Sequence, residues 1–349
     1  MIVSMKKSFA VIGQGFVGGA LTEGMSHSHV VLAFDKAAKY SELATRFIKA
    51  LKEDDAPNLV RHPLSLVELV NEAERRVDFS GIYFVCLPTP MFEDGEADLS
   101  IVDGVLNELA SLPPASCTKC AGAKLAWTCS ACGGLGKNTR GRIAVIKSTV
   151  PPGSTEKWNK RYEKFNLHVV FNPEFLTEAN AINDFKNQTR IVLGGPRPWI
   201  NAVKQIYQEA YPRVPIIKTS STTAEMVKYF TNVQLATRVV LSCELAQLCE
   251  ALDHDGMNID YDKVIEYAKY DPRLGGSHMN VPGNDGISGA RGHCFPKDLN
   301  ALIVVAKKHG VLPTVMEAVW KKNIEVVPPE HRDWEKMVGR AVSKRSGNE

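Results

Sequence analysis

Six residues near the start, Gly13-Gln14-Gly15-Phe16-Val17-Gly18, restrict the fold more than any other feature of the chain. They follow an apolar run, 8–12, and lead into a helical pattern. A second apolar run, 30–34, then ends at Asp35. A glycine at the first position permits the tight turn, and one at the second lets backbone approach a pyrophosphate. The third allows close helix packing, and the helix N-terminus attracts the anion. Asp35 stands where a carboxylate accepts from a ribose 2′-hydroxyl and repels a 2′-phosphate, so NAD is expected rather than NADP. Gly13, Gly15, Phe16, Val17, Gly18 and Asp35 form the expected cofactor-binding set. Lys6 and Lys7 before the apolar run give the segment a look of a signal peptide, but Gln14 and the glycines read better as strand, loop and helix.

Further apolar, β-branched runs at 82–86, 143–146, 168–171, 191–193 and 215–217 read as buried strands, with helices at 99–109 and 154–164 between them. This is the pattern of an α/β fold, a doubly wound parallel sheet of Rossmann type. From 222 to about 251 the chain has no Gly or Pro, and apolar residues recur at helical spacing, which predicts one long helix. Helical segments follow at 261–269, 298–309 and 314–323, with a Gly-rich stretch at 275–292. The expected organisation is an NAD-binding domain over 1–218, a helical central domain over 219–325 and a charged tail over 326–349, ending in a short helix and a frayed basic end. A net charge of +3 gives no reason to expect nucleic acid or an anionic membrane as partner. No apolar run reaches the roughly 18 residues of a membrane span. The expected location is the cytoplasm, where thiols stay reduced.

Of the eight cysteines, Cys86, Cys243, Cys249 and Cys294 are scattered, whereas Cys117, Cys120, Cys129 and Cys132 cluster in a stretch, 114–140, that reads as an insertion. Paired C-x-x-C units present four thiolates, which suits closed tetrahedral coordination. A structural zinc is expected there, the alternative being reduced thiols or two local disulfides.

Several short motifs fall in one order: Val85-Cys86-Leu87-Pro88-Thr89-Pro90, Lys147-Ser148-Thr149-Val150-Pro151, Asn172-Pro173-Glu174-Phe175-Leu176, Lys228 with Asn232, and Cys294-Phe295-Pro296-Lys297-Asp298. Together they resemble the UDP-glucose/GDP-mannose dehydrogenase family, most closely its branch that acts on UDP-glucose. The resemblance implies NAD-dependent, four-electron oxidation of a nucleotide sugar's primary alcohol to a carboxylate, through a thiohemiacetal and thioester on Cys294. That chemistry needs a thiolate. Lys228 and Asn232 lie four apart on a helix face and suit stabilisation of an oxyanion. Asp298, one turn beyond Cys294, suits holding a water or accepting a proton, and Glu174 is the candidate base for thioester hydrolysis.

The family pattern also places Pro88, Thr89, Thr149, Glu178 and Lys297 toward the cofactor, and gives Thr149 a catalytic role in positioning either the water or the nicotinamide. It places Phe175, Leu176, Arg273 and Gly289 toward the substrate, together with Glu174, Lys228 and Asn232. Arg291 stands in the glycine loop before Cys294, where relatives carry adjacent glycines, and is expected either to contact a phosphate or to alter the pocket. Longer members continue into a third domain that helps bind the substrate's nucleotide. This sequence ends at Glu349, so the resemblance is to a short form. A homodimer through the long helix is implied. Another nucleotide hexose, such as GDP-mannose or a UDP-N-acetylhexosamine, remains open as substrate, as does a non-catalytic nucleotide-binding role.

Overall fold

The computed structural model describes residues 6–36, 59–60, 65–113 and 141–345. The chain divides into two units, Met1–Leu87 with Ser100–Met226, and Pro88–Leu99 with Val227–Glu349.

The first unit is built on strands β1 (Ser8–Ile12), β2 (Val30–Phe34), β3 (Leu59–Val60), β4 (Phe79–Val85), β5 (Arg142–Ile146), β6 (Leu167–Phe171), β7 (Ile191–Gly194) and β8 (Ile216–Thr219). They form one sheet in the order β3-β2-β1-β4-β5-β6-β7-β8. β1 and β5 are buried at every residue, as helices on both faces of a sheet require. Phe9, Val11, Ile82, Phe84, Val145 and Val170 pack into one core cluster. Fully burying side chains of this size contributes about 1.5–3 kcal/mol each.

The helices of this unit are α1 (Phe16–Ser26), α2 (Leu66–Arg75), α3 (Ser100–Ser111), α4 (Ser154–Tyr162), α5 (Ala181–Lys186) and α6 (Arg197–Ala210). Of these, α2, α5 and α6 do not stand out in sequence, although α2 carries the expected local signals. Ser65 caps it by accepting from the Glu68 amide at 3.1 Å, and Leu66, Leu69, Val70 and Ala73 bury one stripe.

The sheet is doubly wound as expected but not wholly parallel. β7 pairs antiparallel with β6 through Phe171 and Gly194, and β8 runs parallel to β7. The physical reason lies in the connection after β6. An antiparallel neighbour begins at the end where β6 stops, so residues 172–190 need no crossover helix and stay at the carboxyl edge of the sheet.

The long helix expected at 222–251 is α7 (Ser221–His254), and the division between the units falls within it. It is followed by α8 (Tyr261–Ala268), α9 (Phe295–Lys308), α10 (Thr314–Val326) and α11 (Asp333–Lys336). α9 starts earlier than the expected 298 because Pro296 is well placed in a first turn. It stops before Gly310, whose φ of +72° suits the residue after a helix end. The tail is packed rather than frayed through Arg345. Trp334 is buried with Met91, Val327 and Ala341, and the Met91 amide donates to the Ala341 carbonyl at 2.8 Å. Among the described residues no helix is long and apolar enough to cross a membrane.

Candidate active site

In the first unit, β1 runs into Gly13, whose amide donates to the Phe34 carbonyl at 2.7 Å. The strand order places β1 between β2 and β4, so the chain winds outward from β1 to β3 and then crosses back to β4, which makes the carboxyl end of β1 the point where the winding reverses. Gly13 has a φ of +89°, and a Cβ there would lie 2.3 Å from the Cys86 carbonyl oxygen. A Cβ on Gly18 would lie 1.8 Å from the Gly13 oxygen, so both positions require glycine. At Gly15, the N-cap of α1, a Cβ would meet nothing within 4 Å. Protein therefore presses against the first and third glycines and leaves the second open, the arrangement a pyrophosphate at a helix N-terminus needs. Asp35 holds this loop by accepting from the Gln14 amide at 2.7 Å. A carboxylate has further lone pairs for a ribose hydroxyl. The residues present fit NAD.

Cys86 lies directly behind this loop. Removal from water pushes its thiol up to about 12, with the Lys147 cation opposing and the Glu174 charge adding. Burial likewise raises the Cys243 thiol. Neither suits a nucleophile that acts as a thiolate.

The segment after β6 is anchored from below. Lys147, buried, donates to the Asn172 side-chain oxygen at 3.0 Å, and the Tyr207 hydroxyl donates to the same atom at 2.6 Å. The Asn172 amide nitrogen donates to the Val192 carbonyl at 2.9 Å. Glu174 emerges from this base and accepts from the Leu176 amide at 2.6 Å. The Arg190 guanidinium lies 4.1 Å from the centre of the Phe175 ring. A cavity of about 310 Å³ is lined by Lys147, Glu174, Phe175, Leu176 and Arg190, among others. Glu178 lies exposed on the short turn Glu178–Asn180.

Thr149, buried, belongs to the loop that leads into α4. That loop ends on Glu225, whose two oxygens accept from the Gly153 amide at 2.6 Å and the Thr155 amide at 2.8 Å. Burial pushes the Glu225 carboxyl up in spite of these bonds.

In the second unit, Cys294 is the N-cap residue of α9, at the end of the helix that favours negative charge. Asp298 follows in the first turn and is almost wholly buried. One of its oxygens accepts from Lys297 Nζ at 2.5 Å and the other from the Asn232 amide nitrogen at 2.6 Å. Asn232 and the buried Lys228 come from one face of α7. The structure thus brings Lys228, Asn232, Lys297 and Asp298 to the helix that presents Cys294. Asp298 fixes the Asn232 amide.

Pro88 is exposed and Thr89 buried at the start of the Pro88–Leu99 segment. Arg273 is exposed and forks onto Asp271 in its own turn, with Nη2 at 2.5 Å.

Of the two expectations for Arg291, a contact with phosphate or an altered pocket, its observed partners bear on the first. Rather than presenting a cation for a phosphate, it donates to Asp285 at 2.7 Å, to the His331 carbonyl at 3.0 Å and to Asp333 at 3.4 Å. Two carboxylates and a carbonyl already satisfy its charge and three of its nitrogens, so a substrate phosphate there would have to displace them. Asn323 and Asp333 hold the loop before Cys294 in the second unit, and Glu225 holds the loop after Thr149 in the first; none has a signal in the sequence, because their partners are distant along the chain. Cys117, Cys120, Cys129 and Cys132 lie outside the described residues. Among the described residues no cluster of His, Cys, Asp and Glu suits a metal ion.

Residues 7–118 and 113–211 match the NAD binding domain of the UDP-glucose/GDP-mannose dehydrogenase family, and residues 222–325 match its central domain. The chain belongs to this family.

Among its relatives, the UDP-glucose 6-dehydrogenase TuaD of Bacillus subtilis is 30% identical over 91% of this chain and 63% of its own length. The UDP-glucose 6-dehydrogenase of Rickettsia bellii is 30% identical over 90% of this chain and 66% of its own length. The chain therefore spans a little under two thirds of these relatives. A solved UDP-glucose dehydrogenase from Pyrobaculum islandicum superposes with a TM-score of 0.71 at 26% identity, over 93% of this chain and 69% of that one.

Proposed function

We propose that this family member is an NAD-dependent dehydrogenase that oxidises the primary alcohol of a nucleotide sugar to the acid, with UDP-glucose giving UDP-glucuronate. The buried group of Lys228, Asn232, Lys297 and Asp298 at the helix start that carries Cys294 supports this most directly. Solvation of so many buried polar groups by one another is costly to maintain, and sites that stabilise developing charge require it. When bound at Gly13–Gly18 and Asp35, NAD supplies the hydride acceptor for both oxidation stages.

The chain's own residues do the rest. Asp298 accepts the hydroxyl proton, leaving an alkoxide that the Lys228 cation and the Asn232 amide stabilise. The Cys294 thiolate adds to the aldehyde carbon, forming a C–S bond, and the carbonyl oxygen becomes an oxyanion at the same two donors. After the second oxidation the carbon is a thioester. Glu174, as general base, takes a proton from water as the water oxygen attacks that carbon, and the C–S bond breaks to return the thiolate and release the carboxylate. Asp298 keeps the Asn232 amide aimed and accepts a proton where one is shed. Thr149 and Glu178 are assigned to the nicotinamide side.

Phe230, Leu241, Leu245 and Leu248 are about half exposed and share one face of α7. An apolar stripe of this kind on a long helix supports a homodimer with a second copy of the chain. The paired C-x-x-C units support one structural zinc.

The reading is tested by NADH formation with UDP-glucose, GDP-mannose and UDP-N-acetylhexosamines. Two NADH per sugar acid are expected, with no free aldehyde. Cys294→Ala should stop acid formation and leave NAD affinity intact. Acid production by that variant at the wild-type rate would refute covalent catalysis at this residue.

A further inference from the structure

The loop that delivers Cys294 is held by residues far along the chain, all within the second unit. Gly289 has a φ of +96°, and a Cβ there would lie 2.2 Å from Val327 Cγ2. The Asn323 side chain clamps the next residue, accepting from the Ala290 amide at 2.8 Å and donating to its carbonyl at 2.9 Å. Asp333 then takes the two residues that follow. One of its oxygens accepts from the Gly292 amide at 3.1 Å and the other from Arg291 Nη2 at 3.4 Å. Arg291 completes the connection through His331 and Asp285, with a side chain only 15% exposed.

The segment carrying Asp333 is itself anchored on both sides. Trp334 packs into the cluster with Met91 and Val327. The Ser343 amide donates to the Met91 carbonyl at 2.8 Å, and Arg345 pairs with Asp94 and Glu96. Gly292 has a φ of +74°, a conformation that few residues other than glycine hold without strain. Glycine also has the most freedom to leave it, so an external acceptor has to keep it there.

We propose that Asp333 is a positioning residue for Cys294, fixing the backbone that precedes the sulfur through Gly292 and Arg291. Arg291, on this view, ties the loop to the tail rather than binding substrate. The inference rests on the thiol chemistry proposed above. Displacement of a reacting atom by as little as about 1 Å can cost on the order of a hundredfold in rate.

The test compares Asp333→Ala and Asp333→Asn with wild type. The readouts are kcat and KM for the nucleotide sugar, NAD affinity, and the pH profile of Cys294 alkylation by iodoacetamide, mapped by peptide mass without substrate. Asp333→Ala should lower kcat by roughly a hundredfold with KM and NAD affinity nearly unchanged, the split expected of a group that acts only on the transition state. Its Cys294 alkylation profile should also move. Asp333→Asn keeps an oxygen for the Gly292 amide and should recover most of the activity. A KM increase with kcat intact overturns the proposal, since it makes Asp333 and Arg291 part of substrate binding. Equal loss in both variants, or an unaltered alkylation profile, overturns it too. If wild type oxidises no nucleotide sugar, the dehydrogenase reading fails, while the alkylation profile still decides whether Asp333 places Cys294.

Discussion

Arg142→Ala should destabilise the first unit severely without touching the chemistry. The guanidinium lies at the start of β5, 9% exposed, and each of its nitrogens has an acceptor. Nε and Nη2 fork onto Glu74 at 2.6 and 3.3 Å. Nη1 donates to the Leu109 and Leu112 carbonyls at 2.6 Å each, and Nη2 to the Pro113 carbonyl at 2.9 Å. These carbonyls close the end of α3, where helical acceptors lack partners of their own. Burial works against the charge on Arg142, but the bonds and charge of Glu74 outweigh it and hold the pKa above its ordinary value. Truncation would leave the Glu74 carboxylate, 5% exposed, with the loss of its cation. Breaking a buried pair by removing one partner costs about 3–5 kcal/mol. The three carbonyls push the expected value to the upper end of that range, a large part of the roughly 5–15 kcal/mol that holds a typical protein folded. Urea unfolding, with the slope checked for constancy, measures the change. Arg142→Met with Glu74→Leu should cost much less than the two single changes added together, because no buried charge is then stranded. A loss below about 1 kcal/mol for Arg142→Ala, or simple additivity in the cycle, would refute the reasoning.

Two further outcomes are expected. His29 is 1% exposed, and its Nε2 meets the Ile206 carbonyl at 2.9 Å, an acceptor only, so this nitrogen carries a hydrogen. Burial, above all, holds its pKa below the usual imidazole value, although the Ile206 carbonyl and the Glu209 carboxylate oppose the shift. Stability from the neutral ring is therefore complete above the unfolded value and lost as pH falls through the folded one; urea midpoints should drop from neutral pH toward about pH 5, and less so in His29→Gln. Identical slopes in both proteins would remove His29 as the cause. Protein purified without chelator should hold one zinc per chain on Cys117, Cys120, Cys129 and Cys132, and chelation should leave NAD affinity intact, because Arg142 grips the carbonyls at the near end of that stretch independently of the metal. A zinc content near zero by elemental analysis ends that expectation.

Local pattern alone determined much of this protein. The β-branched runs at 8–12 and 30–34 coincide with β1 and β2, since a strand buried on both faces must be apolar throughout. The glycine spacing was legible because a tight turn from a strand into a phosphate-facing helix start imposes it: Gly13 holds a φ of +89°, Gly18 abuts the Gly13 oxygen, and Gly15 is left open. Lys228 with Asn232, and Cys294 with Asp298, were legible as pairs because helical periodicity puts residues four apart on one side. The direction of β7 and β8 was not legible, because an apolar run reads the same in either orientation and only its pairing with β6 decides. Nor were the partners of Arg291. Asp333, which holds it and Gly292, stands 41 residues beyond that glycine. A cation in a glycine loop reads as a ligand for phosphate until the tail folds back. Hydrogen bonds across such separations leave no periodic trace in the chain; packing of Trp334 with Met91 and Val327, and the bonds of Ser343 and Arg345 to the 91–96 segment, bring those groups together.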